Sequence, residues 1–305
     1  MNHSSKKNQI SALQKNQRTT GYLFVIPSFV LCFIFMLIPL FNVIRYSFTD
    51  WDGLAKSYEY VGLYNYLHLH EIEGFSEMMI ATVTFAIGVT VITILVSFLA
   101  ALALDKRGKG FLPRGFMRAL WFFPALLSGA VVGILWRIMY NYQNGVINQM
   151  ITSVGLPKVN WLETRVVTNI AIIIGAAWIQ IGLCVVVFLA GLQSIPQDLY
   201  EAAAIDGATP RQQLRHITIP MMASSITINV ITTTIAGFKA YELPYLISNG
   251  LPGHSTLLLT QRIYFFGFQA YDFGKGSALS VILLIIIALI SLAQLIVLRK
   301  REDIF

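Results

Sequence analysis

Charged residues are scarce in this sequence. Only 12% of its 305 residues are Asp, Glu, Lys or Arg, and 56% are hydrophobic, whereas a soluble domain normally carries about 25% charged residues. Most of the molecular surface must therefore face something other than water. The net charge of +7 does not indicate a partner nucleic acid, because the basic residues lie in short segments beside long apolar runs, where they orient a protein in a membrane.

Cysteine is also nearly absent. Cys32 and Cys184 both lie inside apolar runs, which is typical of small packed side chains and excludes a disulfide framework or a cysteine metal site. The sequence also lacks the phosphate-binding pattern G-x-x-x-x-G-K-[ST]. Its nearest pieces, Gly108-Lys109 and Gly274-Lys275, have neither the leading Gly nor the following Ser or Thr. The chain is therefore not expected to hydrolyse ATP by a P-loop, and we expect it not to be an enzyme.

Six apolar stretches are long enough to cross a membrane, for which about 20 residues are needed. The first lies between Arg18 and Arg45, and it is longer than the apolar region of a signal peptide and has no A-x-A-like cleavage site after it. The others run from Met78 to Leu104, Ala119 to Trp136, Val166 to about Leu192, about Ile217 to Phe238, and Gly276 to Leu298.

Few ionisable residues lie within these stretches. Lys239 and Glu242 follow the fifth span and His216 precedes it, positions that suit interfacial side chains. Proton-coupled carriers usually carry carboxylates or histidines at depth, so this scarcity argues against a secondary transporter.

Lys and Arg predict the orientation of the six spans. Fourteen lie in four segments that would share one side: the N-terminal tail, 105–118, 193–220 and the C-terminal tail. The opposite loops carry five. The positive-inside rule therefore predicts a multi-pass protein of a bacterial inner (plasma) membrane, surrounded by the lipid bilayer, with both termini cytoplasmic.

The loop from Ser194 to Pro220 has unusually complete helix signals. Ser194 with Gln197, and Thr209 with Gln212, form two possible capping boxes. Gly207 between them can adopt the left-handed conformation of a helix C-terminus, and Pro220 is expected to separate the second helix from the fifth span. The sequence predicts two short helices held at the cytoplasmic face, and we interpret them as a docking surface for another protein.

This loop resembles the EAA motif of permease subunits of ATP-binding cassette importers. The matching residues are Glu201-Ala202-Ala203, Gly207 and Ile217-Thr218-Ile219-Pro220, with Ile219 in place of the usual Leu. Further stretches resemble the sugar-type permeases of this family: Val61-Gly62-Leu63-Tyr64-Asn65-Tyr66, Gly145 with Asn148 and Trp161-Leu162, Ala190-Gly191-Leu192-Gln193, and Phe238 to Thr256, in which Glu242 replaces the usual Asp and Leu251 interrupts a Gly pair. The resemblance covers nearly the whole chain and points to maltose- and glycerol-3-phosphate-type permeases.

The resemblance implies an all-α integral membrane protein with six transmembrane helices, the type I importer fold and a cytoplasmic EAA coupling helix. It divides the chain into a cytoplasmic tail (1–20), a first span with its outer loop (21–76), a five-helix transmembrane domain (77–298) with the EAA loop at 194–220, and a second cytoplasmic tail (299–305). The implied partners are a second homologous permease, two ATPase subunits that hold ATP and Mg, and an extracellular or periplasmic solute-binding protein. No cofactor is expected on this chain. The residues implied in ATPase coupling are Glu201, Ala202, Ala203, Asp206, Gly207 and Pro220.

The resemblance also places a substrate path on the spans that flank the EAA loop. The candidates are Trp178, Ile179, Gln180 and Leu183 on the fourth span, and Thr233 and Gly237 on the fifth. Gln180 is the only amide in the middle of the fourth span; it could bond either a neighbouring helix or a sugar hydroxyl, since an unpaired amide in hydrocarbon is unfavourable. Thr233 could instead bond a preceding carbonyl of its own helix, and the partner permease could hold the whole pocket.

The sequence therefore predicts the permease subunit of an ATP-driven importer of a mono- or oligosaccharide. An importer of a polyol, phosphodiester or modified amino acid remains open as an alternative. A secondary transporter would show internal repeats and buried coupling-ion groups, and a membrane enzyme would show a cluster of catalytic groups; the sequence shows neither clearly.

Overall fold

The computed structural model describes residues 22–105, 114–248 and 256–302. The N-terminal tail, the bases Lys106, Arg107 and Lys109, Leu251 and the last three residues lie outside this part of the chain. The helices of six residues or more within it are α1 (Tyr22–Tyr46), α2 (Phe75–Leu104), α3 (Arg114–Phe122), α4 (Gly129–Met139), α5 (Val146–Ser153), α6 (Arg165–Ser194), α7 (Gln197–Ile205), α8 (Pro210–Met221), α9 (Ala223–Phe238), α10 (Glu242–Ser248), α11 (Leu259–Tyr264) and α12 (Phe273–Glu302). Shorter helical turns are Tyr64–Leu67, Leu69–Glu71, Phe123–Leu126 and Phe265–Gln269.

Four single helices have the length and composition of membrane spans. These are α1 with 25 residues, α2 and α6 with 30 residues each, and α12 with 27 residues up to Arg299. Their most apolar windows have mean hydropathies of 2.6 to 3.2. They confirm the predicted first, second, fourth and sixth spans, because each exceeds the roughly 20 residues that a bilayer core requires.

The predicted third span is not one continuous helix. It is bent by 102° between Gly115–Leu126 and α4. Pro124 is the second residue of the short 3₁₀ turn Phe123–Leu126, and Leu127 is extended. The Ser128 side chain then accepts a hydrogen bond from the Val131 N–H at 3.3 Å, which starts a new helix. The predicted span from Ala119 to Trp136 is therefore present as two helical segments, because a proline and a new N-cap interrupt the apolar run.

The predicted fifth span is also bent, by 66° between α8 and α9. The break lies at Met222, which has φ −91° and ψ 6°, and not at Pro220 as the sequence suggested. Pro220 lies near the end of α8, two residues after the π-helical turn Leu214–Thr218, and the helix continues through it to Met221. Each bent pair can count as one span, which brings the number of spans to six.

The bundle is built around α2 and α6, which pack along each other. One apolar cluster joins the C-terminal half of α6 to α2 and Met222. A second joins α6 to α4 and α10, and a third joins α2 to α9, α11 and α12. Gly237 of α9 lies so close to α2 that an added β-carbon would be 3.0 Å from the Ala86 Cα atom. Such close approach through small residues is typical of helices in membranes.

Candidate functional site

Helix α7 carries the EAA residues, and its first turn differs from the prediction. Ser194 is the last residue of α6, and its hydroxyl donates to the Gly191 carbonyl at 2.8 Å. Helix α7 begins at Gln197 after Pro196, without a side-chain cap. The predicted capping box of Ser194 with Gln197 was therefore wrong, because the long membrane helix continues through Ser194 and uses its hydroxyl internally.

The other end of α7 is a Schellman motif, as the sequence indicated. Gly207 has φ +79°. The Ala208 N–H donates to the Ala203 carbonyl at 2.8 Å, and the Gly207 N–H donates to the Ala204 carbonyl at 3.1 Å, the two bonds that define this motif. Asp206 occupies the last half-turn before the glycine. This turn confirms the predicted left-handed conformation of Gly207.

The second predicted capping box is present at the start of α8. The Thr209 Oγ1 accepts from the Gln212 N–H at 3.4 Å, and the Gln212 Oε1 accepts from the Thr209 N–H at 2.7 Å. Together with Gly207, this box fixes the direction in which the chain leaves α7.

One face of α7 is exposed along its length. Glu201, Ala202 and Ile205 are exposed, and Ile205 has 87% of its surface accessible. Asp198 shares this face because residues at spacings of three and four lie one above another on a helix. We call Asp198, Glu201, Ala202 and Ile205 the docking face.

The opposite face of α7 is tied to the fifth span. The Tyr200 hydroxyl lies 2.9 Å from the Thr218 Oγ1 atom, and Thr218 is buried. Thr218 ends a π-helical turn, Leu214–Thr218, inside α8. Such turns often occur at functional positions. The sequence gave no signal for this bond, which provides a direct link from α7 to the segment that leads into α9.

The four predicted path residues on α6 lie half-way along that helix. Trp178, Ile179 and Gln180 are half-buried, and Leu183 is 55% exposed. The Trp178 ring packs edge-to-face on Trp136 of α4 with 5.8 Å between centroids. Within the described ranges the Gln180 amide has no hydrogen-bond partner, so the helix–helix bond considered from the sequence is not made there.

The two predicted path residues on α9 point into the bundle. Thr233 is 2% exposed, and its hydroxyl lies 3.5 Å from the Cys184 sulfur. Gly237 packs against Ala86. The structure therefore does not bring Thr233 and Gly237 together with Gln180 on one open surface.

Two pockets lie elsewhere in the described chain. A cavity of ≈ 440 Å³ lies between α3 and α6, and a groove of ≈ 690 Å³ lies between α9 and α12. None of the six predicted path residues lines either of them.

Two buried asparagines organise the loops at the end of the bundle opposite α7. The Asn148 amide donates to the Tyr142 and Val159 carbonyls, and its oxygen accepts from the Val159 N–H and the Trp161 indole N–H. Asn65 donates to the Ser47 and Thr49 carbonyls. The sequence motifs contained both residues but did not indicate that they hold the loops together.

Comparison with known proteins agrees with this architecture. Residues 94–302 match the model of the family described as binding-protein-dependent transport system inner membrane component. This match covers more than half of the chain, and the chain belongs to that family.

Individual relatives extend the match over nearly the whole chain. The trehalose/maltose transport system permease protein MalF of Thermococcus litoralis is 32% identical over 97% of this chain and 99% of its own length. The probable starch degradation products transport system permease protein AmyD of Thermoanaerobacterium thermosulfurigenes is 32% identical over 92% of this chain and 94% of its own length. A permease chain in the crystal structure of a bacterial alginate ABC transporter, in complex with an alginate pentasaccharide-bound periplasmic protein, has a TM-score of 0.80 at 20% identity, covering 94% of this chain and 96% of that chain. The similarity to this crystal structure shows that the two chains share a fold.

Proposed function

We propose that this chain is the permease subunit of an ATP-driven sugar importer and that α7 is its coupling helix. The observation that carries the proposal is the docking face: an exposed, acidic and apolar helix surface, ended by a left-handed glycine and tied to the fifth span through Tyr200. A short helix joined in this way to a membrane span can transmit the closure of a separate ATPase to the membrane helices.

The sugar class is supported by the relatives. The 32% identical proteins bear names that refer to trehalose, maltose and starch degradation products. We infer that this chain also transports a sugar, and that it works with a second permease, two ATPase subunits holding ATP and Mg, and a solute-binding protein outside the membrane.

The orientation is supported by the distribution of Lys and Arg. The docking face lies on the side that carries fourteen of these residues in the sequence, which is the cytoplasmic side by the positive-inside rule. Both termini then lie in the cytoplasm, where ATP is available to the partner.

A charge introduced on the docking face tests the proposal. Ile205→Glu adds a third carboxylate beside Glu201 and removes the exposed apolar side chain. Leu199→Glu is the matched control, since Leu199 is 41% exposed on the same helix but lies about 100° around its axis. The assay is copurification of the ATPase subunits with the permease pair, together with uptake of maltotriose and trehalose in cells that hold the complete importer.

We expect Ile205→Glu to lose the ATPase and the uptake, and Leu199→Glu to keep most of both. Full ATPase binding and uptake in Ile205→Glu would show that α7 is not the coupling element. A wild-type complex that binds the ATPase and a binding protein but imports no sugar would instead disprove the sugar class.

A further inference from the structure

Glu242 lies next to the break in the third span. This residue begins α10, which packs on α4, and a β-carbon added to Gly129 would lie 3.0 Å from the Glu242 Oε2 atom. The sequence had placed Glu242 at an interface, near the outer end of the fifth span. In the fold, the chain turns back after α9 and brings this carboxylate to the start of α4.

The contacts with α6 show how deep this position is. An added β-carbon at Gly182 would meet the Trp121 carbonyl, and one at Gly175 would meet Ile247 of α10 and the Trp136 ring. The break therefore lies beside residues 175–182, and α6 runs from 165 to 194. At a rise of about 1.5 Å per residue, its midpoint is near residue 180. Glu242 is thus about half-way across the membrane.

A carboxylate at this depth requires either a charged partner or water. Among the described residues Glu242 makes no ion pair or hydrogen bond, and its side chain is exposed. Lys239, three residues earlier, lies instead in the groove between α9 and α12. Ionisable groups within spans face a water-filled cavity or the interior of an assembly, so the surface around Glu242 is not one that lipid covers.

The neighbours of Glu242 suit a polar ligand. The exposed Ser128 hydroxyl caps α4, and the N-terminus of α4, which carries a partial positive charge, lies beside the Glu242 carboxylate. Trp136 of α4 packs on Trp178 of α6 and adjoins Gly175, and the unpartnered Gln180 amide lies two residues after Trp178 on α6. Carboxylates, amides and aromatic faces together bind polyhydroxylated molecules.

We propose that Glu242 lines the solute path and accepts hydrogen bonds from sugar hydroxyls. The inference rests on the proposed function and adds a substrate class to it. A lone carboxylate favours neutral or amino sugars and disfavours sugars that carry carboxylates, because like charges repel.

The first test is the access of water to this position. Cys32→Ala and Cys184→Ala provide a background without thiols. In this background Glu242→Cys, in the complete importer, is treated with the membrane-impermeant reagent 2-(trimethylammonium)ethyl methanethiosulfonate. Leu246→Cys is the matched control, because Leu246 is on the same helix and packs against Gly133. We expect Glu242→Cys to react at least tenfold faster than Leu246→Cys, and sugar-loaded binding protein to slow the reaction. Equal, slow labelling of both would overturn the proposal.

The second test separates ligand contact from a structural role. Glu242→Gln should raise the KM for maltotriose uptake about tenfold, the loss of one charged hydrogen bond, with the amount of assembled complex unchanged. A fall in assembly with an unchanged KM would overturn the proposal, because it would show that Glu242 only braces α4. Better import of a galacturonate disaccharide than of maltotriose would overturn the substrate class. Fast, protectable labelling in an importer that transports no sugar would support the location of Glu242 in the path and disprove the sugar function alone.

Discussion

Gly207 allows the coupling proposal to be tested without altering any contact. Its φ of +79° lies in the left-handed region, and an added β-carbon would meet no atom within 4 Å. A substitution therefore acts within the chain through the backbone alone. An alanine there costs about 1 kcal/mol, and we expect roughly 2 kcal/mol for valine, whose branched side chain makes a positive φ a severe outlier.

These free energies predict a graded series. Since about 1.4 kcal/mol is a factor of ten in an equilibrium constant, alanine should reduce the population of the native turn about fivefold relative to glycine, and valine about thirtyfold. Asparagine, which tolerates the left-handed conformation, should behave more like glycine although it is larger than alanine.

The assay is the ATPase content of the purified complex, its substrate-stimulated ATP hydrolysis, and uptake. We expect the order Gly, Asn, Ala, Val in all three, with every variant inserted in the membrane, because no apolar span is altered. Normal uptake in Gly207→Val would refute the coupling role. If Asn is as damaging as Val, side-chain volume in the partner's groove matters and backbone strain does not.

Four further predictions follow from the structure and the sequence. A reporter that works only outside the cell should be active when fused within 50–76, 142–164 or 248–274 and inactive within 106–116, within 198–216 or at the C-terminus; activity at residue 205 would contradict the six-span orientation. Tyr200→Phe removes the 2.9 Å bond to Thr218 and should lower the uptake per ATP hydrolysed while the ATPase stays bound, whereas unchanged coupling would show that the bond only supports α7. Gln180→Ala should raise the KM for sugar uptake more than Thr233→Val, because Gln180 is half-buried whereas Thr233 bonds Cys184 inside the bundle. A larger KM increase in Thr233→Val would instead indicate that Thr233 lines the substrate path. Asn148→Ala leaves several buried loop groups unsatisfied and should cost about 3 kcal/mol, seen as a lower melting temperature in detergent, and a shift below 1 °C would contradict its structural role.

The sequence by itself determined the class of protein and most of its local structure. Long apolar runs predict spans because hydrocarbon admits only backbones whose hydrogen bonds are satisfied internally, and α1, α2, α6 and α12 confirm four of them. Gly207 and the box of Thr209 with Gln212 were predictable because these caps are formed by residues close to one another in the sequence. The EAA residues and the outer-loop motifs indicated the family.

Tertiary structure decided how the broken spans bend and which residues meet at the site. Hydropathy measures the composition of an apolar run and not its direction, so the six-span prediction did not include the bends at Leu127 and Met222, although Pro124 and Ser128 mark the first of them. Ser194 was misplaced because the packing of α6 extended that helix beyond a local cap signal. The pairing of Tyr200 with Thr218 and the approach of Glu242 to Gly129 join residues 18 and 113 positions apart. Such contacts depend on how helices fold back on one another, because no periodicity along the chain encodes which distant side chains meet.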